Sequence, residues 1–463
     1  MSVPFYKKAL PLQSKKWAKK YTRFSACDDA ERKYATLRVS ERRNCAVENG
    51  VLRAGLGLKA FTLLNGGALQ MITQNANPQA FFRFRNKTQQ EEIGCLTKTG
   101  DFYIYRDNKW VLRKQFKAAM HAFVMQDRQG GDTIAFLGDA GYTIYSAADD
   151  LIINCLTTPF LPVGCFVQGR VFGAVALNEV AYFSAFDFVN TTADNQNVGK
   201  IRLPESAGEI VAMVALQDCV AVFCAYGIFV IQVRGNGGDF VVEKVLFDGS
   251  RIFGESVCLL KQQGGKIAFL TENGVYLLQG ESVKKLGLDI EIIPKRVGQV
   301  CDQGVADGKY VLKYVDEKAG ERCVVIDVES ESGYTCFLPD VFCDVDGNAA
   351  CVQGTFLQLF TKGGSFPSGE TAQVKWYLDG AAIGKKTLKS ITLAGKGEAL
   401  IRVAHSTLSP AFESDLIAGA AMMKLNVQGE TFAIACTMSP GSEIRACRAE
   451  FCALKNDILG VKK

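Results

Sequence analysis

Residues 220–233 read VAVF-CAYG-IFVIQV and residues 267–280 read IAFL-TENG-VYLLQG. Each begins with four apolar-rich residues, passes through a four-residue turn ending at Gly227 or Gly274, and resumes as a second apolar stretch. β-branched and aromatic residues of this kind fit a pleated, buried surface. Asn273-Gly274 supplies the positive φ that a tight hairpin needs. The runs are too short for buried helices and are punctuated at the same place, so a hairpin is the better reading. The phrase recurs as IGCL-TKTG-DFYIYR (Gly100), IAFL-GDAG-YTIYSA (Gly141) and VAYF-SAFD-FVNTTA (Asp187), and more loosely as YVLKYVDEKAG-ERCVVIDV (Gly320). Steps between the turn residues are 41, 46, 40, 47 and 46. A hairpin cannot bury both of its faces alone. Repeated at this period it stacks into an array, and four-stranded blades around a channel are the common all-β solution.

Working outward, a seventh hairpin is expected at 355–366, around Gly363-Gly364. Asn49-Gly50 and Asn65-Gly66-Gly67 mark two more hairpin turns before the repeats. From Ala372 the texture changes to strands that alternate apolar and polar residues, such as ALIRVA at 399–404. The expected fold is therefore all-β, a six- or seven-bladed β-propeller with a small C-terminal antiparallel β-sandwich. The expected division is a basic N-terminal arm over 1–43, a propeller over 44–371 and a sandwich over 372–463.

The arm is expected from charge. Residues 1–43 hold twelve Lys/Arg and four Asp/Glu, in a chain whose net charge is +5. Lys15, Lys16, Trp17, Lys19, Lys20, Tyr21 and Arg23 are the candidates for docking a partner. A short helical stretch would bring Trp17 and Tyr21 together at i, i+4 as apolar anchors. The partner would be an acidic protein surface or a nucleic-acid backbone; a solvated tail is the competing reading.

The rest of the composition narrows the class. Apolar residues make up 48% of the 463, which argues against disorder. No run approaches the ~18 apolar residues of a membrane span, and the N-terminus lacks the apolar core of a signal peptide. The sixteen cysteines include no C-x-x-C and no zinc-ligand spacing, and Cys219, Cys224, Cys258, Cys323 and Cys351 lie in apolar runs. They read as small buried hydrophobes in a reducing compartment.

Catalytic signatures are thin. The two histidines, His121 and His405, sit in strand-like alternation and read as structural. There is no H-E-x-x-H, G-x-S-x-G or P-loop. Asp344-Val345-Asp346-Gly347-Asn348 has no Glu at the twelfth position and reads as a turn. Asp101, Asp139, Asp187 and Glu272 occupy comparable turns, and facing carboxylates at a channel mouth would suit a glycosidase. Turn chemistry explains them equally well. The expectation is no enzyme, no cofactor and no metal.

Three further stretches, in order, resemble one family. NCAVENGVLRAGLGL (44–58) resembles the opening strand pair of phage tail-nozzle and head-to-tail joining proteins. FVQGRVFGAVALNEVAYFSAFD (166–187), with Gly169-Arg170 and Tyr182-Phe183-Ser184, resembles their central blade. KWYLDGAAIGKKTLKSITL (375–393), with Lys385-Lys386, resembles their C-terminal segment. The chain departs from the family in its many cysteines and in lacking a Pro before the second Gly of the opening motif. The resemblance implies a virion structural protein of the tail, made in the host cytoplasm. It implies a homo-hexamer ring below portal and adaptor proteins, among other tail proteins. The ring would continue the channel and retain packaged double-stranded DNA until ejection, without sequence-specific contact. A cytoplasmic propeller serving as a protein-interaction platform is the first alternative, and a carbohydrate-active propeller the second.

Overall fold

The computed structural model describes residues 16–21, 23–25, 36–62, 69, 77–117, 120–126, 131–185, 198–233, 240–288, 297–378, 386–405, 412–416, 419–429 and 431–453. These residues form strands, turns and three short 3-10 turns, with no α-helix among them. They fall into two compact units. One comprises Leu58–Glu331 and Leu338–Thr361; the other comprises Met1–Gly57, Ser332–Phe337 and Lys362–Lys463.

The described residues of the first unit form a propeller of seven successive antiparallel sheets. Sheet 1 is Pro78–Arg85, Glu91–Thr97, Asp101–Arg106 and Lys109–Gln115. Sheet 2 is Met120–Gln126, Asp132–Gly138, Gly141–Ser146 and Leu151–Leu156. Sheet 3 is Gly164–Val167, Arg170–Ala176, Glu179–Ser184 and Gly199–Arg202. Sheet 4 is Ile210–Ala215, Cys219–Cys224, Gly227–Gln232 and Val241–Lys244. Sheet 5 is Cys258–Leu260, Lys266–Thr271, Gly274–Gln279 and Ser282–Lys285. Sheet 6 contains Val297–Ala306, Lys309–Asp316 and Gly320–Asp327. Sheet 7 contains Val341–Val345, Asn348–Gln353 and Phe356–Lys362.

The ring closes between its first and last sheets. Asp344 and Val345 of sheet 7 pair in parallel with Ala80 and Phe81 of sheet 1. Phe61 N–H donates to the Leu357 carbonyl at 2.9 Å, so an N-terminal segment extends the last sheet. Closure of this kind gives the first and last sheets the neighbouring face that an open array would leave them without.

The cores lie between sheets, and this explains the near-continuous apolar runs. In Cys219–Cys224, Val220, Val222 and Cys224 pack with sheet 3, while Ala221 and Phe223 pack with sheet 5. Strand geometry sends alternate side chains to opposite faces, and here both faces meet a neighbour. Gly141–Ser146 is buried throughout for the same reason. Burying one such large side chain contributes roughly 1.5–3 kcal/mol, so each interface is a substantial share of the unit's stability.

Gly100, Gly141, Gly227 and Gly274 stand at the turns joining second and third strands of four different sheets, as the repeat requires. Gly141 has φ +91°, and a Cβ there would lie 1.9 Å from the Leu156 carbonyl oxygen. Two copies are out of frame. In sheet 3, VAYF belongs to the third strand, and the turn is Leu177-Asn178; Asp187 lies outside the described residues. The true second strand, RVFGAVA, contains Gly173 and Ala174 and so reads as less apolar. A Cβ at Gly173 would come within 2.9 Å of the Phe160 ring. In sheet 7 the turn is at Gly354, φ +61°, and Gly363 follows the third strand. The expected Asn65-Gly66-Gly67 turn lies outside the described residues.

The second unit is a sandwich. One sheet runs Gly419–Gly429, Lys386–Lys396, Glu443–Ala453, with Val51–Ala54 and Lys16–Tyr21 both pairing along the last strand, and Cys45–Glu48 beyond Val51–Ala54. The other contains Phe412–Leu416, Ala399–His405, Phe432–Met438, Ala372–Leu378, Thr36–Arg43 and Arg23–Ser25. Trp376, Ile434, Leu388, Phe451, Tyr21 and Phe24 share the core between them.

The two units divide the chain differently from the expected boundaries. Residues 44–57, 332–337 and 362–371 belong with the sandwich. The arm is not a separate element where it is described. Lys16–Tyr21 is a strand rather than a helix, and Tyr21 and Phe24 are core residues at 3% exposure each. Lys16 and Lys20 stand exposed on one face of that strand and Tyr21 is buried on the other, so composition alone mimics a solvated tail. Residues 1–15 and 26–35 lie outside the described residues.

Asn44 ties the unit together. It is fully buried at φ +52°. Its side-chain amide donates to the Thr371 carbonyl at 3.0 Å and to Glu370 at 3.2 Å, and its side-chain oxygen accepts from Phe337 N–H at 2.7 Å. Its carbonyl accepts from Gly55 N–H at 2.7 Å.

Candidate functional site

Two features stand out, one in each unit. In the propeller, an axial cavity of about 560 Å³ opens among the first strands of the sheets and is lined by His121, Lys261, Asp302, Gln303, Asp344 and Asp346 with others. Val297–Ala306 of sheet 6 supplies Asp302 and Gln303. The Val345–Asn348 turn of sheet 7, with its approach at Asp344, supplies the other carboxylates. Asp344 accepts from Gly347 N–H at 3.0 Å, which is the turn chemistry that the local sequence suggests.

Burial sets the electrostatics of this cavity. It pushes Asp344 up to about 7, opposed by the Gly347 N–H and assisted by Asp346 and Asp302. Burial likewise pushes Asp302 up to about 6, against Lys98 at 3.3 Å. Burial raises Asp346 as well, countered by the Arg83 N–H at 3.0 Å and its guanidinium at 3.2 Å. Burial lowers His121, so the imidazole is neutral at pH 7. Three carboxyls therefore face three cations, Lys98, Arg83 and Lys261, and burial favours the protonated form of each carboxyl. The arrangement can accept and donate protons. No group of three or more His, Cys, Asp or Glu among the described residues is arranged to hold a metal ion.

The sequence does not point to these residues. Asp101, Asp139 and Glu272 lie at turns between second and third strands of sheets 1, 2 and 5 and are not among the cavity's lining residues. His121, read as structural, does line it. The signal available in advance is the Asp344-Val345-Asp346 run, which reads equally as a turn.

In the sandwich, the docking candidates divide between two faces of one strand. Lys16 and Lys20 are exposed, while Lys19 is half-buried with its ammonium 5.0 Å from the Tyr21 ring centre. Tyr21 is in the core and so is no anchor for a partner. Trp17 pairs in register with Phe451; Arg23 is exposed on the other sheet; Lys15 lies outside the described residues. Across the strands, Lys20 pairs with Arg448, and Arg448 with Thr392, which pairs with Met422. One rung along, Ala18 pairs with Glu450, Glu450 with Ser390 and Ser390 with Lys424. Exposed Lys389 donates to Asn426 at 2.6 Å. Glu450 is held by Arg448 at 3.0 Å and by the Ser390 hydroxyl at 2.9 Å. The outer face of this sheet thus sets Lys16, Lys20, Lys389, Lys424 and Arg448 around the Glu450 carboxylate.

The asymmetry extends to the whole chain. The residues of the sandwich unit include 26 Lys/Arg and 14 Asp/Glu, and those of the propeller unit 27 and 34. The sequence therefore codes a basic unit of +12 and an acidic one of −7. Residues 1–43 carry +8 of this excess, and the remaining segments of the sandwich unit carry +4.

No family model matches the chain, and no curated protein matches it. Among solved structures, the chain is similar to the C-terminal WD40 domain of Sif2, at 11% identity and a TM-score of 0.39, over 66% of this chain and 97% of that one. It is similar to Hsv2 of Kluyveromyces lactis at 11% identity and 0.35, over 64% and 96%. It is similar to the extracellular domain of the hybrid two-component system BT4673 of B. thetaiotaomicron at 11% and 0.40, over 78% and 47%. At such scores the fold rests on the chain's own topology: seven sheets, closed in parallel from last to first.

Proposed function

We propose that this chain is a structural ring subunit of a phage tail, a nozzle or head-to-tail joining component that continues the DNA channel and retains packaged DNA until ejection. The observation that carries the reading is the position of the three stretches that resemble that family. Two of them hold packing centres of the sandwich, and the other makes up most of one propeller sheet. The first contains Asn44, the hydrogen-bonding centre of the sandwich, and the Asn49-Gly50 turn at φ +52° and +81°. The second is most of sheet 3, with Gly169-Arg170 in its first hairpin. The third contains Trp376, the largest fully buried side chain among the described residues. Residues committed to packing suit a part whose work is mechanical. Adaptor, portal and other tail proteins are the partners under this reading, and six copies the expected number. Electron microscopy of the particle tests it: a closed ring of this chain on the tail axis is expected, and its absence from particles would refute it.

A second reading, a cytoplasmic platform for protein partners, draws support from exposed apolar side chains at equivalent turns of adjacent sheets. Leu177 is 63% exposed in sheet 3 and Tyr226 50% in sheet 4. A platform works as a monomer, so closed cyclic symmetry separates the two readings. The carbohydrate-active reading has its support in the raised carboxyls of the axial cavity, Asp302 and Asp344, and would require loss of glycan turnover in an Asp302→Asn variant.

A further inference from the structure

We propose that the outer face of the sandwich sheet formed by Lys16–Tyr21, Glu443–Ala453, Lys386–Lys396 and Gly419–Gly429 binds the phosphate backbone of double-stranded DNA directly. The tail reading asks only that DNA pass by; this inference stands on the sheet face alone and survives or fails independently of that reading.

Geometry brings the cations together. Adjacent strands lie about 4.8 Å apart, and alternate residues along a strand roughly 6.6–6.8 Å apart. Lys16, Lys20, Arg448, Lys389 and Lys424 therefore share a field only a few strands wide, within one or two Debye lengths of each other at physiological salt. Among the described residues, Lys16, Lys20 and Lys424 have no carboxylate partner, and Glu450, which stands among them, is committed to Arg448 and Ser390. Lys20 stands directly opposite Arg448, a like-charge pair that a covering polyanion would relieve.

The other side chains on the face choose between occupants. Protein interfaces are anchored by buried aromatic or Arg hot spots in pockets. Here the exposed positions between the cations are Ala18, Asn426 and Gln428, with Met422, 57% exposed, as the large apolar exception. A flat field of Lys, Arg and amide donors is the set that contacts phosphate oxygens and reads no base. Duplex DNA, with one negative charge per about 1.7 Å of axis, fits a face of this breadth.

The test is fluorescence anisotropy of the full chain with a duplex of about 30 base pairs across a salt series. Wild type should bind with a log–log salt slope of roughly −3 to −4.5, about −0.9 for each phosphate neutralised. Lys20→Gln/Lys389→Gln/Lys424→Gln should bind at least about tenfold more weakly at low salt, with a slope flatter by roughly 2.7. The charge-keeping Lys20→Arg/Lys389→Arg/Lys424→Arg set should bind like wild type, which guards against a folding defect. Lys109→Gln/Lys200→Gln/Lys318→Gln, three exposed cations of the propeller, should leave both quantities unchanged. The proposal is overturned if wild type does not bind, if the propeller set weakens binding as much, or if the Arg set also loses it. It is equally overturned if a polyglutamate peptide binds this face as tightly as the duplex, which would assign the face to an acidic protein.

Discussion

Phe223 and Val222 are neighbours in the chain and belong to different cores, one facing sheet 5 and the other sheet 3. That division is legible in the sequence, because unbroken apolar strands with β-branched residues have no solvent face to spare. The same alternation sorts the thiols. Cys224 packs toward sheet 3 and Cys219 against the sheet 4–5 core. Neither is in a disulfide, nor are Cys258 and Cys351, and burial raises Cys224 and Cys351 to about 12. Mass analysis of unreduced protein, alkylated after denaturation, should therefore find Cys219, Cys224, Cys258 and Cys351 as thiols; native disulfides among them would contradict the expected reducing compartment. What the sequence hides at this scale is the axial cavity. Its carboxyls come from turns and strands far apart in the chain, and only ring closure brings them together. Asp344 offers a test with a definite sign. Its carboxyl is raised to about 7 when folded and has an ordinary value of about 3.9 when unfolded. The folded state thus holds a proton that the unfolded state releases, and stability falls as pH rises from about 4 to about 7. Asp344→Asn keeps the acceptor for Gly347 N–H and removes the penalty. Thermal unfolding should show the variant more stable at about pH 8, on the order of 1–2 kcal/mol after solvent screening, and no more stable at about pH 4.

At the scale of elements, the hairpin repeat is readable wherever Gly closes the turn between second and third strands. The frame slips in sheet 3, where Leu177-Asn178 makes the turn without Gly and small residues dilute the second strand. It slips in sheet 7, where a Gly pair after the third strand outweighs Gly354. The N-terminal strand is invisible for a different reason. Lys16–Tyr21 pairs with Glu443–Ala453 at the other end of the chain, and no local pattern announces so distant a partner. Its role in folding is testable. Tyr21 and Phe24 are core residues, and the Phe24 ring lies edge-on to Trp376 with centroids 5.8 Å apart. Tyr21→Ala and Phe24→Ala should each cost about 3–5 kcal/mol in denaturant unfolding of the sandwich. Unchanged midpoints would mean that these residues form a dispensable arm after all. Lys16→Gln and Lys20→Gln, on the outer face of the same segment, should leave stability within about 0.5 kcal/mol of wild type.

For the whole molecule, fold class is legible and domain boundaries are not. The propeller's period runs through Leu58–Glu331 and resumes over Leu338–Thr361, whereas the sandwich is assembled from both chain ends and the residues 332–337 that interrupt the propeller. A boundary drawn along the sequence cannot describe a unit made of three separated segments. The charge separation follows the same division, with the basic excess in the sandwich and the acidic excess in the propeller. The proposed role in a phage tail rests on the resembling stretches and their place in the fold, and it makes a demand at this scale. Purified protein can remain monomeric and still be a ring subunit, because ring contacts often require the neighbouring layer as a template. The deciding measurement is therefore made on assembled particles, by cryo-electron microscopy without imposed symmetry at the tail axis. Density for this chain is expected there as a closed ring, six copies around the channel. Particles that lack the chain, with the protein found only as a monomer in host lysate, would refute the tail assignment.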